Sequence, residues 1–296
     1  MEKKLQMENV MIIILILFIS IVIFILIRSA YETRNVAKTE INIAIKGLHK
    51  TKRMAFISDF HSASNKKFQD KIIDVLNSNN VEGVFVVGDM IVGKKNADNK
   101  PAIDFLKRLC EKYPVYFTYG NHESRMYSRN IEDKSCFFEE ISKIKKLYIL
   151  NNDTMRLKFN NISVNLYGLE LSDEYYKRKN PSELTKEAII DKLGEKKDGY
   201  TILLSHKPDY LSAYHQYGAN LVLSGHNHGG TIRLPKVGGL ISTSFKLFPK
   251  FSSGVFYDKD TIMVLTRGIG THTINFRLFN MPEVVILNFR PSHNDY

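Results

Sequence analysis

The sequence predicts an α/β fold, a largely parallel sheet with helices packed on it, preceded by one apolar helix long enough to cross a membrane. Three observations predict it. Short apolar runs alternate with longer amphipathic stretches from Met54 onward, five of the runs end directly in clusters of Asp, Asn and His, and residues 10–27 are apolar apart from Ser20. Parallel strands need crossover connections, so strand-like runs separated by helical ones point to this class.

The N-terminal run just reaches the length that spans a hydrocarbon layer as a helix. Lys3 and Lys4 ahead of it also suit the charged start of a secretory signal. The run is long for such a signal, however, and Ile-Leu-Ile-Arg-Ser-Ala makes a poor cleavage site, so the expectation is an uncleaved anchor. Lys3 and Lys4 precede the run while Arg28, Arg34 and Lys38 follow it, which leaves the side of the membrane open. Next, Ile41, Ile43 and Ile45 alternate with Glu40, Asn42 and Ala44 as in a half-buried strand. Strand-like residues 54–57, 84–87 and 115–117 are followed in turn by helix-like residues 68–76, 102–109 and 137–144. Further strands are expected at 163–169, 201–204, 221–223, 262–265 and 284–287, with a helix at 184–193. The last two strands lack intervening helices and read as antiparallel additions. The segmentation expected is a tail over 1–9, a transmembrane helix over 10–28, a linker over 29–38, one folded domain over 39–290 and a tail over 291–296, with no internal repeat or Pro/Gly-rich break.

With 44% hydrophobic residues the chain can bury a large core, which excludes disorder, and its net charge of +11 favours anionic partners: phosphate esters, nucleic acid or a lipid surface. Only two cysteines occur, outside any Cys/His spacing, which argues against a disulfide framework and a structural zinc site. No track of Lys and Arg interleaved with aromatics stands out, so nucleic acid is not expected as a partner.

The chemistry sits at the strand ends. Residues 54–58 lead to Asp59-Phe-His61, residues 84–88 to Asp89, residues 115–120 to Asn121-His122-Glu123, residues 201–205 to His206, and residues 221–225 to His226-Asn-His228. Carboxyl ends of strands share one edge of an α/β sheet, where ligands bind, so five groups would converge there. Asp59 and His61, like His226 and His228, are two residues apart and can reach one ion from a tight loop. Each cluster alone passes for a cap or turn; five in order after strands do not. The all-nitrogen-and-oxygen set favours Mn²⁺, Fe or Zn²⁺ over soft metals, and its imidazoles argue against Mg²⁺ and Ca²⁺. His49, His215, His272 and His293 match no ligand spacing. Lys207 and Arg277 are each read either as a contact for a substrate phosphate or as a solvated charge. Residues 241–251 mix aromatics with Lys246 and Lys250 and are read either as a lip touching the membrane or as a loop folded on the core.

Asp59-x-His61, Gly88-Asp89, Gly120-Asn121-His122-Glu123, Ser205-His206 and Gly225-His226-Asn-His228-Gly229-Gly230 resemble, in order and spacing, the signature of the calcineurin-like metallophosphoesterase superfamily, over about residues 52–288. Pro235, Thr266-Arg-Gly-Ile-Gly270, Arg277 and Pro282-Glu283 are similar to a membrane-anchored subgroup grouped with UDP-2,3-diacylglucosamine pyrophosphatase-like enzymes. The resemblance implies a four-layered sandwich of two mixed β-sheets flanked by helices. It implies two divalent or mixed-valence ions, Mn being the first choice, one held by Asp59, His61, Asp89 and His228 and the other by Asp89, Asn121, His206 and His226. Asp89 would bridge them, and His122 would be the general acid or stabilise the transition state. Many relatives carry an acidic residue where this chain has Val92.

Such a pair of ions acidifies a shared water and clamps phosphoryl oxygens during in-line displacement. The function expected is hydrolysis of a phosphodiester, phosphomonoester or pyrophosphate, with lipid-linked substrates favoured by the anchor. The competing readings are an inactive membrane-tethered metal-binding module and a nuclease. Protein partners are not legible.

Overall fold

The computed structural model describes residues 2–128, 134–234, 238–241, 247–271 and 275–292. Helix α1 runs from Glu2 to Glu32, longer at both ends than the apolar run. Its side chains are exposed from Lys3 to Phe24, and it is long and apolar enough to cross a membrane. Ser20 turns its hydroxyl back onto the Ile16 carbonyl at 2.8 Å, as a polar side chain in an apolar helix does. The linker expected over 29–38 is correspondingly shorter: Ser29 and Glu32 are helical and buried, and a strand begins at Ala37.

The remaining elements are β1 (Ala37–Ile45), β2 (Lys52–Ile57), α2 (Lys66–Ser78), β3 (Val84–Val87), α3 (Lys100–Lys112), β4 (Val115–Thr118), α4 (Asn121–Ser128), α5 (Lys134–Ser142), β5 (Leu147–Ile149), β6 (Asp153–Phe159) and β7 (Ile162–Leu169). After these come α6 (Lys186–Leu193), β8 (Tyr200–Ser205), α7 (Leu211–Tyr217), β9 (Leu221–Ser224), β10 (Ile232–Leu234), β11 (Gly238–Ile241), β12 (Gly254–Asp258), β13 (Thr261–Leu265) and β14 (Glu283–Pro291). Two six-stranded mixed sheets result, ordered β1-β14-β2-β3-β4-β5 and β12-β13-β9-β8-β7-β6.

Strand periodicity explains the layering. In β2, Met54 and Phe56 join the core between the sheets while Ala55 and Ile57 join the core under the helices, and β3 divides its residues the same way. Ile202 and Leu204 of β8 face the other sheet, and Leu203 faces the core of α6 and α7. A strand covered on both sides reads as a continuous apolar run, which is why these runs carried no visible alternation. The expected four layers are present.

The C-terminal strands meet their expectation in part: β13 is antiparallel to β12. β13 runs parallel to β9, because the segment after Ser224 carries the β10/β11 ribbon and β12 and returns the chain to the end where β9 starts. β14 is antiparallel to β2 as expected, yet parallel to β1. That register has a positional result. Ala37, where the chain arrives from α1, pairs with Glu283, and β14 reverses relative to β2, so α1 meets the domain at the edge where β2, β3 and β4 end.

Candidate metal centre

Asp59 and His61 follow β2, Asp89 follows β3, Asn121 and His122 open α4 directly after β4, His206 follows β8, and His226 and His228 follow β9. The fold brings the titratable members together: ligand atoms of Asp59, His61 and His228, of His61, Asp89 and His122, and of Asp89, His206 and His226 form three groups, each within 4.8 Å. His61 belongs to the first two of them and Asp89 to the last two. All of these side chains are buried except His226, which is half-buried.

The backbone is unusual here. Asp59, His61, Asp89, His226 and His228 all have positive φ, between 48° and 75°. Non-glycine residues held in the left-handed region cost free energy and persist where surrounding structure over-determines them. Close packing permits no side chain at Gly120 or Gly225: a Cβ at the first would strike Asp89, and at the second Ser58 and Asp59.

Hydrogen bonds fix each group. Ser58 Oγ lies 2.7 Å from Asp59 Oδ2 and 2.6 Å from the Val87 carbonyl, and the His226 N–H donates to both Asp59 oxygens at 3.1 and 3.2 Å. The His122 N–H donates to Asp89 Oδ1 at 2.8 Å. His206 Nδ1 faces the Val87 carbonyl at 2.8 Å; a carbonyl only accepts, so Nδ1 carries the proton and a neutral ring offers its Nε2 lone pair 3.0 Å from Asp89 Oδ2. His122 is set the other way, because Gly93 N–H donates to its Nδ1 at 2.8 Å, leaving the proton on Nε2, 3.9 Å from Asp89 Oδ2.

These residues fit metal ions. Nε2 of His61 and Nε2 of His228 stand 3.0 Å apart, and Asp59 Oδ1 lies 3.2 Å from the latter. These three atoms are reconciled either by a proton on one ring nitrogen or by a shared cation that takes a lone pair from each. Asn121 Oδ1 is buried with no hydrogen-bond partner among the described residues. Electrostatics agree. Burial pushes Asp59 up to about 6, while for Asp89 burial is outweighed by the His206 and His122 imidazoles, which hold it well below the usual range. Burial opposes charge on His206, yet Asp89 and Asp59 raise it to about 9; burial together with Lys207 and His206 drives His226 well down.

Sequence spacing assigned no role to Glu123 or Tyr176. Glu123, fully buried, accepts from the N–H groups of Asp89 (2.8 Å), Met90 (2.7 Å), Ile91 (3.3 Å) and Gly120 (2.8 Å), so it shapes two ligand loops at once. Its place three residues after Gly120 was the available signal. Tyr176 packs against His226 with ring centroids 5.1 Å apart and lies under Lys207 Nζ, and neither contact is written in sequence spacing. Lys207 is ion-paired with Asp209 at 3.1 Å and mostly covered, so it is not a solvated charge. Arg277 is neither solvated nor free for substrate: 2% exposed, its guanidinium donates to the carbonyls of Arg267, Gly268, Gly270 and Asn280. His215 lies off the centre against Thr261, as expected. In the 241–251 stretch, Leu247 and Phe248 are exposed, whereas Phe251 is buried and its carbonyl accepts from Asn227 between the two histidines. Pro235, Lys246, His272 and His293 lie outside the described residues.

Fold and site together define a hydrolase with a buried cluster of groups able to hold metal ions at the edge where two sheets meet. The chain belongs to the calcineurin-like phosphoesterase family, whose model matches residues 52–230, and it is a hydrolase acting on phosphate esters. Family members use a dinuclear divalent metal site. The chain is 24% identical over 276 residues to the uncharacterized metallophosphoesterase YkoQ of Bacillus subtilis, covering 91% of this chain and 97% of that one. It is 24% identical over 272 residues to UDP-2,3-diacylglucosamine pyrophosphatase LpxG of Chlamydia muridarum, covering 79% and 82%. TT1561 of Thermus thermophilus superposes over 74% of this chain and 91% of its own, at 12% identity and TM-score 0.46.

Proposed function

We propose that the chain is a membrane-anchored enzyme that hydrolyses a phosphodiester, phosphomonoester or pyrophosphate in a lipid-linked substrate at a pair of divalent ions, Mn²⁺ first among Mn, Fe and Zn. The observation that carries the chemistry is the meeting of Asp59, His61 and His228, of His61, Asp89 and His122, and of Asp89, His206 and His226 in three groups, the first two joined through His61 and the last two through Asp89. Asp59, His61, Asp89 and His228 would hold one ion, and Asp89, Asn121, His206 and His226 the other. Two such ions supply Lewis acidity and make water acidic enough to attack phosphorus near neutral pH. His122 keeps a proton on Nε2 beside Asp89, because Gly93 occupies Nδ1. That proton is what a departing alkoxide needs, or what a charged phosphoryl oxygen accepts.

The lipid-linked part draws on two observations. α1, exposed along its apolar length, joins the domain at the same strand edge as the ligands, and a relative of similar length is named as a pyrophosphatase of an acylated sugar nucleotide. An anchor at that edge keeps the centre close to the bilayer surface. Residues 39–290 would act as one catalytic domain.

Purified full-length protein with Mn²⁺ should turn over bis-p-nitrophenyl phosphate, and a chelator or Asp89→Ala should abolish it. Absence of turnover on any phosphate ester, with two ions bound, would reduce the chain to a metal-binding module. Lipid pyrophosphates in mixed micelles should be better substrates than soluble nucleotide diphosphates; equal rates would remove the lipid-linked reading. Release of the protein from membranes by an alkaline carbonate wash would remove the anchor.

A further inference from the structure

We infer that the last turn of α1 is a positioning element for one metal site, acting through Glu32 and Asn280 on the loop that carries His228. The inference rests on the dinuclear centre proposed above and goes beyond it. A membrane helix used only as a tether needs no polar contact with the centre. This one has a connected set.

Glu32 is 0% exposed. One carboxylate oxygen accepts from Arg28 Nε at 2.7 Å, and the other accepts from the Asn280 backbone N–H at 2.7 Å. Asn280, 1% exposed, then donates its side-chain amide to the His228 carbonyl at 2.7 Å and to the Gly230 carbonyl. The backbone from 228 to 230 is left-handed throughout and turns sharply, so its carbonyls need fixed donors to keep the His228 ring aimed at Asp59. A second arm runs in parallel. Ser29 Oγ accepts from the Arg277 N–H at 3.2 Å, and the Arg277 guanidinium ties down the carbonyls of Arg267, Gly268 and Gly270. The N–H groups of Ile269 and Gly270 in turn donate to the Ser58 and Asp59 carbonyls at 3.0 and 2.6 Å.

Both arms end on the same ion's ligands, Asp59 and His228. Neither arm hydrogen-bonds to the side chains of His206, His226 or Asn121, and His226 meets the set only through its backbone N–H on the Asp59 carboxylate. Outer partners that orient metal ligands commonly change metal affinity by about 10–100-fold when removed, so loosening this clamp should weaken one site and spare the other.

The test is Mn²⁺ titration of full-length, chelator-stripped protein in detergent, followed by calorimetry and by the electron paramagnetic resonance signature of a coupled Mn²⁺ pair. Wild type should bind two ions. Glu32→Ala and the isosteric Asn280→Asp, which removes the amide donor, should each weaken one site by about 10–100-fold and replace the coupled signal with that of an isolated ion. Glu32→Gln keeps an oxygen for the Asn280 N–H and should restore the pair. Two tight sites in every variant would overturn the inference alone. Equal weakening of both sites, with Glu32→Gln as damaged as Glu32→Ala, would also overturn it, since that marks general destabilisation. Fewer than two ions in wild type would overturn the dinuclear reading and the clamp with it.

Discussion

Replacing Glu123 tests how the centre is held. Its two oxygens accept four backbone N–H groups, three of them at 2.8 Å or less, from loops that carry Asp89 and Asn121. Each buried donor left without a partner costs about 1–3 kcal/mol. Loop relaxation and water recover part of this, so Glu123→Ala should cost about 3–5 kcal/mol, the range for removing one member of a buried charged network. At roughly 2–4 °C per kcal/mol for a domain of this size, the melting transition should fall by roughly 6–20 °C. Glu123→Gln retains one acceptor oxygen but turns an amide donor toward N–H groups, so it should lie between. Differential scanning calorimetry on metal-free and Mn²⁺-loaded protein provides both readouts, and the loss should persist when the ions are present. A Glu123→Ala protein that melts within about 2 °C of wild type, well short of the shift expected from that cost, and binds Mn²⁺ normally would refute the claim that this carboxylate shapes the two loops.

His122→Ala should keep both ions and lower kcat by about 10²–10⁴-fold; loss of the ions in direct metal analysis would make His122 a ligand instead. Metal-free protein should lose stability as pH rises. Burial pushes Asp59 up to about 6 and Glu123 up to about 7, and nearby carboxylates raise His206 to about 9 against its burial, so all three bind protons more tightly folded than unfolded. Their contribution is complete below the unfolded values and fades between about pH 4 and 9. Asp89 acts oppositely at lower pH, and His226, driven well down, acts oppositely until its unfolded imidazole loses its proton near 6.5. Thermal melts across about pH 7–9 should therefore slope downward without metal and flatten with Mn²⁺; an upward slope there would contradict the assignment. Cys110 is buried and its thiol is pushed up to about 12, whereas Cys136 is exposed, so a thiol reagent at neutral pH should label one cysteine in the native protein and two after unfolding.

Much of this was legible before any fold was known. The apolar runs ending at Ser58, Gly88, Gly120, Ser205 and Gly225 marked the strands, and the residues following them supplied the centre. Local signals sufficed because a strand buried on both faces must be apolar, and the ligands sit where it stops. Short polar elements were less legible. α4 is built from the site residues themselves, and β6 alternates only weakly in burial.

By itself, then, the sequence determined which groups are available, their order, and the class of sheet that would gather them. Tertiary structure decided their surroundings: that Arg277 turns inward to four carbonyls, that Glu123 serves two loops, and that Glu32 meets Asn280 across 248 positions of chain. The physical reason is that strand and helix patterns arise from neighbours a few residues apart, whereas the partner of a buried polar group is whichever backbone the packed layers bring within hydrogen-bonding distance.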